Sequence, residues 1–128
     1  MKKEELPNII PVFPLSNFII FPKTTVPINI FEERYIEMIN DSMETNKLIG
    51  MIQPNQSKKS ETNIPMLHQI GCLGKITSFK ETGDGRYLID LRGIIRFKVS
   101  KEVKLSNPYR KCEVNYETYL VDLNKQKE

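Results

Sequence analysis

From Arg86 to Ser100 the sequence alternates with a period of two: Tyr87, Ile89, Leu91, Gly93, Ile95, Phe97 and Val99 occupy the odd positions. Arg86, Leu88, Asp90, Arg92, Ile94, Arg96, Lys98 and Ser100 take the even ones. Side chains of an extended chain point alternately to its two faces, so the odd set is expected to line a core. At about 3.3 Å per residue such a strand overshoots a small domain if it stays straight. It must bend, and Gly93 is the position that tolerates the bend best. Ile70, Cys72, Gly74 and Ile76 alternate upstream, and Thr82-Gly83-Asp84-Gly85 supplies turn residues between the two runs, which predicts a hairpin.

The first third of the chain adds a second constraint. Prolines at 11, 14, 22 and 27 interrupt an otherwise apolar stretch, and a proline inside a helix costs about 3 kcal/mol. Short strands at 9–13 and 25–30 are expected instead, with Ser16-Asn17 and Pro22-Lys23 as turns and Pro27 on an edge or bulge. Phe31, Tyr35, Met38, Ile39 and Met43 then recur at helical spacing, with Glu32, Glu33, Arg34, Glu37, Asn40 and Asp41 between them. This is one amphipathic helix over about residues 32–45, and its acidic first turn suits the helix dipole. Leu48 to Ile52 reads as a short strand, Gln53 to Asn63 as an exposed loop, and Lys111 to Val121 as a further alternating segment. The fold class expected is mainly β, a pseudo-barrel of about six strands with one principal α-helix.

With 39% hydrophobic and 27% charged residues the chain has the balance of a globular protein and should fold as one domain. A net charge of +3, spread along the sequence, names no partner. Cys72 and Cys112 have no second Cys or His at ligand spacing and read as buried thiols. The N-terminus carries acids straight after its lysines, unlike a signal peptide, and no apolar run reaches membrane-spanning length. We expect a cytoplasmic location with no membrane association, no metal and no cofactor.

Pro11-Val12-Phe13-Pro14-Leu15, Phe21-Pro22 and the run from Val26-Pro27-Ile28 through Phe31-Glu32-Glu33-Arg34-Tyr35 resemble the opening of the LON substrate-binding domain. Leu48-Ile49-Gly50, Ile70-Gly71-Cys72-Leu73-Gly74, Asp84-Gly85-Arg86-Tyr87, Leu91-Arg92-Gly93, Arg96-Phe97 and Pro108-Tyr109-Arg110 follow in the family's order. The ordered set is specific where each piece is weak, and the Phe-Glu-x-Arg-Tyr and Pro-Tyr-Arg pieces look closer to the short stand-alone members than to full Lon proteases. The resemblance implies a barrel related to the PUA fold and a role in holding unfolded or misfolded protein segments, with a protease or ATPase as a further partner. It places the barrel domain at 9–121, after an N-terminal extension at 1–8 and before a frayed tail at 122–128. In the family a helical part follows the barrel, so this chain is expected to be a piece of a longer protein.

Lon proteases use a Gly-rich phosphate loop ending in Gly-Lys-Ser/Thr and a Ser-Lys dyad. The sequence has neither: Gly83-Asp84-Gly85 lacks the lysine and the helix, and His68, the sole histidine, has no acid or nucleophile pattern beside it. No catalytic residue is assigned, and the chain is expected not to be an enzyme. The candidate substrate-binding residues are Phe18, Phe21, Phe31, Glu32, Glu33 and Arg34. For the aromatics the alternative is core closure, and for the charged residues a solvated helix face. A PUA-like RNA-binding module is the alternative function, with Arg86, Arg92, Arg96 and Lys98 as its basic stripe.

Overall fold

The computed structural model describes residues 1–16, 19–59, 65–103 and 108–124. Strands β1 (Ile9–Pro14), β2 (Thr25–Ile30), β3 (Leu48–Ile52), β6 (Ile70–Glu81), β7 (Tyr87–Val103) and β8 (Arg110–Asn115) form one sheet, and α1 (Glu33–Met43) is the principal helix. The sheet order is β2-β7-β6-β3-β1-β8, and β8 also pairs with β7. Five strands therefore close into a ring, and β2 stands outside it as an extra strand on β7. The mainly-β pseudo-barrel with one principal helix is what the alternation and the helical spacing predicted.

Two cores lie on opposite sides of the sheet. Ile10, Val12, Leu48, Ile52, Leu73, Ile95, Phe97, Cys112, Val114 and Tyr116 form one. Phe13, Ile28, Ile30, Tyr35, Met38, Ile39, Ile49, Met51, Ile76, Tyr87, Ile89 and Leu91 belong to the other, which α1 covers. β3 is buried at every position because its two faces look into different cores. β7 crosses between them: Tyr87, Ile89 and Leu91 enter the helix-covered core, Ile95 and Phe97 the other.

The crossing falls at Gly93, which pairs with Gly74, and the register against β6 shifts by one residue there, leaving Ile94 as the extra residue of a bulge. A Cβ on Gly93 would lie 2.1 Å from the Phe21 carbonyl oxygen, and one on Gly74 2.6 Å from Leu91 Cγ. Glycine is thus required on both sides of this bulge, because the Phe21 main chain and the Leu91 side chain occupy the space a side chain would need.

Three details differ from the sequence reading. Pro54–Lys59 (β4) pairs with Pro65–Leu67 (β5) as a separate two-stranded sheet rather than running as a loop. The alternation from Lys111 ends as strand at Asn115, and Glu117–Leu123 is a 3-10 helix. Ile70 is half exposed, outside the inward set of β6. Cys72 and Cys112 are free and buried, and burial holds their thiols up, to about 12 and about 11. They are inert as nucleophiles at neutral pH.

Candidate functional site

Of the candidate residues, Phe21, Phe31, Glu32, Glu33 and Arg34 are all exposed, while Phe18 lies outside the described residues. Phe21 and Phe31 are 60% and 67% exposed, values that place their rings in solvent rather than in core closure. Neither sits on a loose segment of backbone. Phe21 opens a tight turn in which Thr24 N–H donates to the Phe21 carbonyl at 3.2 Å, with Pro22 and Lys23 at the corners. Lys23 adopts φ 69°, the left-handed value that the third position of a type II turn demands. The Thr24 hydroxyl donates to the same carbonyl at 2.7 Å, and Lys23 Nζ donates to the Asn124 carbonyl at 2.6 Å. Lys23 N–H donates to the Gly93 carbonyl and Gly93 N–H to the Thr24 carbonyl, both at 2.8 Å, so the turn is fastened to the bend in β7.

Phe31 stands at the other end of β2, directly before α1. β2 pairs with β7 from Thr25 opposite Arg92 to Ile30 opposite Tyr87. At about 3.3 Å per residue the two phenylalanines are therefore roughly 20 Å apart, one at each end of the same strand. They do not form one patch. Phe31 is contiguous with Glu32, Glu33 and Arg34, but Arg34 is already engaged: its Nε lies 3.0 Å from Glu32 Oε2, and its guanidinium stacks 4.8 Å from the Tyr35 ring centroid. The helix behind this corner is pinned by Tyr87, whose hydroxyl donates to Asn40 Oδ1 at 2.8 Å, and by Tyr109, which donates to Asp41. Burial and the Asp41 carboxylate hold the Tyr109 hydroxyl well above its ordinary range, so it remains a donor.

Other exposed apolar groups escaped the sequence reading. Leu88 (42% exposed) lies opposite Asn29 on the outer face of β7, and its even position, in a row that is polar apart from Leu88 and Ile94, is the available signal. Ile19 (59%) precedes the Phe21 turn. Phe79 (38%) packs edge-on against Tyr87 with centroids 4.8 Å apart, completing the hairpin rather than a separate surface.

The basic stripe is partly spent within the molecule. Arg96 makes a bidentate pair with Asp122, Nε to Oδ2 at 2.9 Å and Nη2 to Oδ1 at 2.8 Å, and stacks on Tyr119. The Asp122 carboxyl is held below the usual range, chiefly by these hydrogen bonds. Arg86 pairs with Asp84 at 3.2 Å. Among the described residues no group of three or more His, Cys, Asp or Glu could hold a metal, and no helix is long and apolar enough to cross a membrane.

Residues 9–128 match the sequence profile of the ATP-dependent protease La (LON) substrate-binding domain. Over 114 residues the chain is 25% identical to a Lon protease of Anaeromyxobacter dehalogenans and 30% identical to one of Flavobacterium johnsoniae. Each match covers 89% of this chain and only 13% and 14% of the respective relatives, so the chain spans about an eighth of their length. The fold is similar to the crystal structure of a Lon N-terminal domain protein from Xanthomonas campestris, with a TM-score of 0.66 and 26% identity over 84% of this chain and 59% of that one. It also resembles the N-terminal domain of the Mycobacterium avium complex Lon protease, with a TM-score of 0.64 and 15% identity over 94% and 56% of the two chains.

Proposed function

Since the chain belongs to the ATP-dependent protease La (LON) substrate-binding domain family, we propose that it is a non-catalytic module that binds exposed apolar or unfolded segments of other proteins. The observation that carries this reading is the presentation of Phe21 and Phe31, each about two thirds in solvent, the first from a hydrogen-bonded turn and the second from the short link between β2 and α1. Large aromatic groups exposed on an ordered frame lose little entropy on binding, and such anchors dominate most interfaces. The charged helix start contributes less in this reading, because Arg34 is satisfied by Glu32 and Tyr35.

The RNA alternative draws less support. With Arg96 committed to Asp122 and Arg86 to Asp84, the stripe leaves Arg92 and Lys98 as its remaining cations, whereas phosphate contacts must be several to bind usefully at physiological salt.

The test is binding of reduced, carboxymethylated α-lactalbumin, a permanently unfolded protein, to the full chain. Capture of the unfolded form and not of native α-lactalbumin, weakened by Phe21→Ala and Phe31→Ala, is the expected result. Equal binding of both forms, or of neither, would overturn the reading.

A further inference from the structure

β2 is hydrogen-bonded on one side only: β7 pairs with it, and among the described residues no strand lies along its other edge. The phase of that edge can be read from one bond. Gly93 N–H donates to the Thr24 carbonyl while its own carbonyl accepts from Lys23 N–H, so Lys23 and Thr24 oppose Gly93 as a bulge and the Thr24 carbonyl points at β7. From there the main-chain groups of successive residues alternate between the two edges of the strand. Val26, Ile28 and Ile30 therefore direct their N–H and C=O groups at β7, and Thr25, Pro27 and Asn29 direct theirs outward. Among the described residues none of these outward main-chain groups is taken by a turn, cap or side-chain bond. Pro27, which has no N–H, occupies an outward position, so the ladder with β7 loses nothing by it.

We propose that this edge takes up an extended segment of the client polypeptide as an added strand, through the N–H and C=O of Thr25 and Asn29 and the C=O of Pro27. The inference rests on the function proposed above and specifies where and how the client lies. Thr25 and Asn29 are about 13 Å apart along an extended chain, the spacing of residues i and i+4 in a strand. A row of alternating donors and acceptors at that repeat matches an extended peptide main chain.

The two exposed aromatics then acquire a common purpose. Phe21 precedes the edge and Phe31 follows it, so one extended segment of about six to eight residues reaches both rings, although they are too far apart to form a single patch. Pro27 argues for a foreign strand over a second copy. Two β2 edges paired antiparallel about their centres would set Pro27 against Pro27 and lose both hydrogen bonds of that pair, whereas a client strand loses one. Proline on an edge is a common guard against such self-pairing.

The probe is a fluorescent decapeptide of alternating Val and Thr with a Phe near each end, N-methylated at either its even or its odd amides. One methylated set should weaken binding at least about tenfold, the effect of removing two or more main-chain hydrogen bonds, and the other should change it less than about twofold. Pro27→Ala, which restores an outward donor, should tighten the unmethylated peptide about threefold without lowering the melting temperature. Equal sensitivity of both methylated sets, insensitivity of both, or failure of the peptide to bind while carboxymethylated α-lactalbumin still does, would overturn strand addition and leave the function standing. Failure of carboxymethylated α-lactalbumin to bind at all would overturn the function, and strand addition with it.

Discussion

Phe21 and Gly93 meet main chain against main chain: the Phe21 carbonyl oxygen lies 2.1 Å from the point where a Cβ on residue 93 would stand. A backbone oxygen held by Thr24 cannot give way as a flexible side chain does. Gly93→Ala should therefore cost about 3 kcal/mol, the upper end of the usual overpacking range. It should also weaken capture of unfolded protein, because the Phe21 turn must move. Denaturant unfolding checks the first effect; a midpoint within error of the wild type would mean the turn is not seated on β7 as described.

The two cores make a separate claim. Ile89 and Phe97 are both essentially inaccessible, in different cores on opposite sides of the bend. Replacing either by Ala should cost roughly 2 to 5 kcal/mol. The gentler pair Ile89→Val and Ile95→Val, one methyl removed from each core, should cost about 1 kcal/mol apiece and add within about 0.5 kcal/mol, as non-contacting sites do. A double mutant far from the sum would show that the cores are coupled.

Much of this architecture was legible in the chain, for a physical reason. Period-two alternation reports which side of a strand avoids water, so it points the odd positions from Tyr87 to Val99 inward, where all are buried except the half-buried Val99, and the Phe31 to Met43 spacing marks the helix. Alternation does not report which interior a side chain enters, so the division of β7 between two cores was invisible. Pro54–Lys59 was missed because its residues are polar and its partner is a three-residue strand. The Arg96–Asp122 pair joins residues 26 positions apart, with no local signal to announce it. At the candidate site, the sequence marked Phe21 and Phe31 as ambiguous between core and surface. Only the placement of neighbours resolves this: Ile20 is buried beside Phe21, and Ile30 beside Phe31.

Asp122 ties the 3-10 helix at Glu117–Leu123 to β7 through three hydrogen bonds, to Arg96 N, Nε and Nη2. Its carboxyl is depressed in the folded protein by Arg96. A depressed acid contributes stability above its unfolded value, about 3.9, and loses it as pH falls through the lower folded value. Asp122→Asn should therefore melt below the wild type at pH 7, and the gap should narrow as pH falls below about 4. A gap constant from pH 7 to pH 2.5 would show that the charge at Asp122 is not what holds this element.

Both cysteines should resist alkylation in the native protein at pH 8, since burial removes access and raises the thiols to about 12 and about 11. In denaturant both should label completely. Mass spectrometry after a timed iodoacetamide pulse distinguishes the two states, and rapid labelling of the native chain at either position would mean that core opens on the timescale of the pulse.

The helix start and the aromatics can be ranked against each other. Arg34 is half exposed, paired with Glu32 and stacked on Tyr35, so a client gains little from it that the fold does not already hold, and salt screens what remains. Phe21 and Phe31 have most of their surface to bury, and truncating a buried aromatic anchor typically costs about 2 kcal/mol or more. Phe21→Ala and Phe31→Ala should each weaken binding of carboxymethylated α-lactalbumin at least about tenfold. Arg34→Ala should do so by less than about twofold. The aromatic effects should persist between 50 mM and 500 mM salt. The RNA alternative predicts the reverse: Arg92→Ala with Lys98→Ala would abolish binding to a single-stranded RNA, whose affinity would fall steeply with salt. Titrating both ligands against these variants at the two salt concentrations decides the matter, because apolar capture and counterion release respond to salt in opposite ways.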